Sequence, residues 1–116
     1  MKRMIKTSQD IFCMANLYPK RTGFPYLIWV DNLGAARKNK HNLPRIKVQN
    51  VKGDKVVDDA FVISISKTPE VLAGKCKIGS DLNAVKQYIQ EHYDDFIAHW
   101  NQEIDEDELK DRLYLH

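Results

Sequence analysis

Cysteine is scarce. The 116 residues hold two, Cys13 and Cys76. A small secreted scaffold held by disulfides would carry more, so both are expected to be reduced, half-buried apolar residues. No apolar stretch reaches the roughly 18 residues that a membrane span needs. The first six residues, Met1 to Lys6, are basic like the start of a signal peptide, but Thr7, Ser8, Gln9 and Asp10 stand where an apolar segment should follow. The expectation is a cytoplasmic protein with no membrane partner. The five glycines, at 23, 34, 53, 74 and 79, form no phosphate-cradling G-x-x-x-x-G-K loop. A G-x-S-x-G elbow and an H-E-x-x-H motif are also missing. Cys13 has no neighbouring His or helix start that would favour a thiolate. The four histidines, at 41, 92, 99 and 116, are scattered. His92 and His99 fall near one helical face, but no third ligand lies in helical range. Tetrahedral zinc takes about four ligands in clusters, so neither a metal nor a cofactor is expected.

Proline is absent after Pro69, which marks a strand-and-loop half followed by a helical half. Charge follows the same division. Residues 1–55 carry 12 Lys/Arg against 3 Asp/Glu, a balance of +9, and residues 56–116 carry 6 against 13, a balance of −7. The net charge of +2 hides this split. A uniformly basic nucleic-acid binder and a uniformly acidic mimic are both excluded.

Along the chain, residues 9–17 allow a short helix or an irregular apolar arm. Residues 1–21 as a whole are read as such an arm on a single domain spanning 1–116. Residues 17–25, with two Pro and a Gly, read as loop. Tyr26-Leu27-Ile28-Trp29-Val30-Asp31 is aromatic and β-branched without alternation, which predicts a strand covered on both faces. Residues 43–50 alternate, with Ile46 and Val48 toward a core and Arg45, Lys47 and Gln49 toward water. Residues 60–66 form a further strand, with Phe61, Ile63 and Ile65 inward. Residues 68–74 read as a turn or helical turn. From Ser80 or Asp81 a helix cap leads into Leu82, Val85, Ile89, Tyr93, Phe96, Ile97 and Trp100, spaced at a 3.6-residue period. This helix is expected to bend near residues 92–94. Asp105-x-x-Glu108 is a capping pattern before a short terminal helix. The fold class is therefore α+β: a small antiparallel sheet of three to four strands, then a long amphipathic helix and a short C-terminal helix packed on one face. Tyr26, Trp29, Phe61, Tyr93, Phe96 and Trp100 fall at core positions. Phe24, between Gly23 and Pro25, is either a lid on the core or an exposed contact.

One constellation carries chemistry. Arg37, Lys38, Lys40, His41, Arg45 and Lys47 occupy eleven residues with no acid among them. A basic loop feeding a strand with a wet basic face suits phosphate binding. Against this stands a solvated surface, or one paired with the chain's own acids. The expected partner is nucleic acid or an acidic protein, and a second copy of the chain is a further candidate. His41, titrating near neutrality, and Arg45, stabilising a pentavalent phosphate, are the only candidates for catalysis, as in RNA cleavage. The acidic stretch 103–111 has two readings, a solvated helix start or a docking surface for a basic partner.

The order of motifs adds a resemblance. Gly23-Phe24-Pro25, Ile28-Trp29-Val30, Arg45-Ile46-Lys47-Val48-Gln49, Val62-x-Ser64, Leu72-Ala73-Gly74, Tyr88-Ile89 and Trp100-Asn101-x-Glu103-Ile104 resemble a group of small bacterial proteins carried as domains of unknown function. They resemble more loosely short proteins suggested to neighbour toxin–antitoxin or mobile-element genes. The likeness covers roughly residues 22–109. It implies the fold, and no established activity carries over from it. Two further readings stand on the residues themselves: a toxin-like endoribonuclease using His41 and Arg45, or an antitoxin or anti-defence protein acting through its acidic C-terminal helix. In those looser relatives the loop-to-strand segment is rich in His, whereas here only His41 remains.

Overall fold

The computed structural model describes residues 14–37 and 42–116. Five strands form one antiparallel sheet in sequential order: β1 (Met14–Leu17), β2 (Tyr26–Asp31), β3 (Arg45–Lys52), β4 (Ala60–Ser64) and β5 (Val71–Ala73). A single helical turn, α1 (Pro19–Thr22), joins β1 to β2, and a 3₁₀ turn (Gly34–Ala36) follows β2. Three helices come last: α2 (Asp81–Glu91), α3 (Tyr93–Trp100) and α4 (Glu106–Leu113). Among the described residues no helix is long and apolar enough to cross a membrane.

The architecture is α+β, with five strands rather than three or four. Both additional strands lie at sheet edges. β1 falls where a helix or irregular arm was expected. Its burial alternates, with Ala15 and Leu17 inward opposite Val30 and Ile28, but Met-Ala-Asn-Leu contains no β-branched residue to announce a strand. β5 falls where a turn was expected. Its three residues are exposed, so its pairing with β4, and not burial, creates it. The Ser64 side chain guides the approach by accepting a hydrogen bond from the Glu70 amide at 2.9 Å.

The expected long helix is two helices. The chain breaks at His92, φ −110° and ψ 24°, close to the expected bend. The Asp105 side chain caps α4 by accepting from the Glu108 amide at 2.8 Å, as the D-x-x-E pattern requires.

Residues opposite one another in an antiparallel pair share a face, so the register defines two faces. Leu17, Ile28, Val48 and Phe61 form one inward row. They pack with Val85 and Ile89 of α2, Phe96 of α3, and Leu109 and Leu113 of α4. Phe24 closes this core, 8% exposed, with its ring 4.5 Å from that of Tyr88; the loop aromatic is a lid. Tyr26 donates to Asp81 Oδ2 at 2.7 Å and so ties β2 to the start of α2. Burial and that bond push its phenol up to about 12.

Burial likewise pushes the Tyr88 phenol up to about 12. Its hydroxyl lacks a hydrogen-bond partner among the described residues. The nearby Thr22 hydroxyl is engaged by Tyr18 O and the Phe24 amide. A buried hydroxyl left unsatisfied costs about 1–3 kcal/mol. Tyr88→Phe should therefore raise stability by about 1 kcal/mol in urea denaturation; a lower midpoint than wild type would show that the hydroxyl is satisfied.

Candidate functional site

The second face of the sheet carries no helix among the described residues. One row crosses all five strands there: Asn16, Trp29, Lys47, Val62 and Ala73. Trp29 is therefore not a core residue. It is half-buried on the face opposite the helices, which corrects both its expected core position and a β2 covered throughout. Leu27 and Ile28 are fully buried, but Trp29 and Asp31 are only partly so.

A cleft of about 340 Å³ opens on this face, and Trp29, Asp31, Arg37, Arg45 and Lys47 are among its lining residues. The Lys47 ammonium sits 5.3 Å from the Trp29 ring centroid, an ordinary cation–π arrangement. Arg37 pairs through Nε with Asp31 Oδ2. The Arg45 guanidinium turns toward the helical layer. It lies 5.3 Å from the Trp100 ring centroid and donates to Leu43 O at 2.9 Å. Arg45 and Lys47 thus share a strand face, as alternation predicts, while their charged ends diverge onto different indoles. Neither pairs with an acid among the described residues. Gln49, expected to face water with them, is instead fully buried: its amide donates to Val51 O and Lys55 O, and its Oε1 accepts from the Val57 amide, so the turn after β3 covers that end of the face. Asn42 donates to Arg37 O at 2.6 Å and to Gly34 O at 3.2 Å, which fixes the two ends of the basic loop next to each other. Lys38, Lys40 and His41 lie outside the described residues.

The charge halves do not simply cancel each other. Glu106 pairs with Lys110, and Asp95 and Glu108 with Arg112, all within the acidic half. Asp59 pairs with Lys77, also within it. Lys52 reaches Asp81 across the division at 3.6 Å.

A second cleft, about 390 Å³, lies between the end of β2 and the start of α4 and is lined by Asn32, His99, Gln102, Glu103, Ile104, Asp105 and Glu106. His99, 4% exposed, bonds through Nε2 to Asn32 Oδ1 at 2.7 Å. Asn32 Nδ2 donates to Glu106 Oε1 at 2.7 Å, and Lys110 holds Glu106 Oε2. With Asn32 oriented this way, its oxygen faces the imidazole, so a neutral His99 carries its proton on Nε2. Burial holds the His99 pKa below its usual value, although Glu106, Asp31 and Asp105 pull it upward. The Lys110 hydrogen bond holds Glu106 below the usual carboxylate value. Sequence reasoning found the cap at Asp105 and noted His99 only as half of a loose pair. The missed signal is His99 standing three residues after Phe96 and next to Trp100, a polar residue at a buried helical position.

Among the described residues no group of three or more His, Cys, Asp or Glu side chains gathers as metal ligands. Cys76 is a half-buried free thiol; Cys13 lies outside the described residues. Compared with protein-family models, curated proteins and solved structures, the chain matches none.

Proposed function

We propose that this protein is a nucleic-acid-binding module that engages phosphates with segment 37–47 along the helix-free face of its sheet. One observation carries the reading: Lys47 stands beside the 340 Å³ cleft over the Trp29 ring, and neither it nor Arg45, which is held against Trp100 at the rim, has an acidic partner among the described residues. A surface that merely neutralised the acidic half would pair these cations with carboxylates. The loop that adds Lys38, Lys40 and His41 leaves from Arg37 at the rim of the same cleft. Phosphate binding needs such lysines and arginines, and its strength comes from counterion release.

The endoribonuclease reading has less support, because Arg45 is already held by Trp100 and Leu43 O. A docking role for the acidic terminal helix is likewise less supported, since Glu106 and Glu108 are engaged by Lys110 and Arg112.

The structure guides the choice of variants. Replacing Arg37 or Arg45 also removes structural bonds, whereas Lys47, Lys38 and Lys40 can be neutralised as Gln. Binding of a labelled oligonucleotide, followed by fluorescence anisotropy, should weaken steeply between about 50 and 200 mM salt. Each Lys→Gln change that removes a phosphate contact should reduce the log–log salt slope by about 0.7 for single strands. Absence of binding at low salt, or binding indifferent to salt and to all three changes, would refute the proposal.

A further inference from the structure

We infer that the helix-free face takes single-stranded nucleic acid and that one unstacked base lies against the Trp29 indole. This rests on the phosphate-binding reading above and adds to it the part of the ligand that meets the sheet.

The two tryptophans differ in the way this role needs. Trp100 is 3% exposed and buried beneath the Arg45 guanidinium. Trp29 is half-buried on β2, with β1 and β3 on either side. Its cross-strand neighbours are Asn16 on β1 and Lys47 on β3. The indole is therefore flanked by an amide and by an ammonium. The Asn16 amide nitrogen is engaged by the Tyr18 hydroxyl at 3.2 Å. A π surface, a neighbouring hydrogen-bonding group and a cation are what a stacked nucleotide requires. Aromatic platforms in cationic grooves bind single strands with little sequence preference, because every base offers a π face.

Size and shape favour a single strand over a duplex. The cleft of about 340 Å³ is at the lower end of small-ligand pockets, which run from about 300 to 1,000 Å³. That suits one nucleotide. Reading a duplex through its major groove needs a helix or a two-stranded ribbon that can enter it. Here α2, α3 and α4 pack against the opposite face, and the row on the open face runs across the sheet. A base arriving at Trp29 meets Lys47 already over the ring. The ammonium then moves to the adjoining phosphate, so one side chain serves the free and the bound state.

The test compares a homopolymeric pyrimidine strand of about 16 nucleotides, the upper end of known single-strand site sizes, with a duplex of the same length. Trp29→Ala should weaken single-strand binding by roughly 5- to 100-fold, in line with the loss of one stacked base. Trp29→Phe should retain most of the affinity. In the unaltered protein, the indole Nε1–H resonance of Trp29 should shift on titration with the single strand, and that of Trp100 should stay. This second readout stands even where the Ala variant fails to fold. Duplex binding as tight as single-strand binding, a neutral Trp29→Ala change, or an unmoved Trp29 indole resonance in the unaltered protein would each overturn this inference and leave the phosphate-binding proposal intact. Binding of polyglutamate in place of nucleic acid, or no binding at low salt, would overturn both.

Discussion

Gly34→Ala should destabilise the protein by about 3 kcal/mol or more. Two separate costs meet at this residue. Its φ of +36° lies in the left-handed region, where a residue with a side chain is strained by about 1–3 kcal/mol. A Cβ there would also stand 2.2 Å from the Trp100 carbonyl oxygen. That atom belongs to the backbone at the end of α3 and cannot rotate aside. Overpacking of this sort costs about 1–3 kcal/mol, occasionally more. Gly53→Ala is the control. Its φ is +101°, but nothing lies within 4 Å of its added Cβ, so it should show the strain alone. Urea denaturation of the two variants separates the terms. A Gly34→Ala cost of only about 1 kcal/mol, no more than backbone strain, would mean that the contact between the 3₁₀ turn and α3 is loose. A large difference would establish that turn as a tight seat for Trp100, the residue on which Arg45 rests. The basic face should then lose affinity in Gly34→Ala even at temperatures where the variant remains folded.

Periodicity reveals the elements that bury a full row of side chains. Ile46 and Val48 alternate with Arg45 and Lys47, and the Leu82-to-Trp100 spacing marks a helical face, so β3, α2 and α3 are legible, although the alternation misplaces Gln49, which the turn after β3 buries. β4 is legible for the same reason, through Phe61 and Ile63. β1 and β5 are not, because each is completed by a neighbouring strand. Met14–Leu17 lacks β-branched residues, and Val71–Ala73 has no buried position. The misplacing of Trp29 has a different cause. An uninterrupted apolar run says that both faces of a strand are sheltered, yet β2 is sheltered on both only around Leu27 and Ile28. The candidate site divides in a similar way. Local alternation places Arg45 and Lys47 on one face. It carries no information about Trp100, which lies far along the chain and draws the Arg45 guanidinium away from Lys47. The His99 chain is less legible still, since Asn32 and His99 are 67 positions apart and Asn32 and Glu106 are 74 apart. Such a chain has no motif, only a polar residue at a buried position.

That chain should make stability depend on pH in two distinct windows. Burial holds the pKa of native His99 below its ordinary 6.5. Between that lowered value and about 6.5 the unfolded chain binds the proton and the native chain does not. Stability is therefore complete above about pH 6.5 and falls as the pH drops toward the native value, by at most about 1.4 kcal/mol per pH unit. The groups facing His99 moderate this loss without reversing it: Asp31 from β2, Asp105 at the cap and Glu106 from α4 all favour the imidazolium, but burial is the larger influence. Glu106 acts lower down. Lys110 depresses its pKa from 4.5, so its contribution is present above about pH 4.5 and is lost as the pH falls below that. His99→Gln separates the windows. The amide can still donate to Asn32 Oδ1 and does not titrate, so the upper slope should flatten while the lower one persists. His99→Leu removes the donor and leaves the Asn32 oxygen unpaired, which should cost about 1–3 kcal/mol even at pH 7.5. Urea midpoints measured from pH 7.5 down to about 3 decide the matter. If His99→Gln keeps the wild-type slope between pH 6.5 and 5, the loss comes from elsewhere and the imidazole is not the titrating group. If Leu is tolerated as well as Gln, the bond from His99 to Asn32 holds nothing together, and the junction between β2 and α4 rests on the Asn32–Glu106 bond and the packing of Leu109 and Leu113.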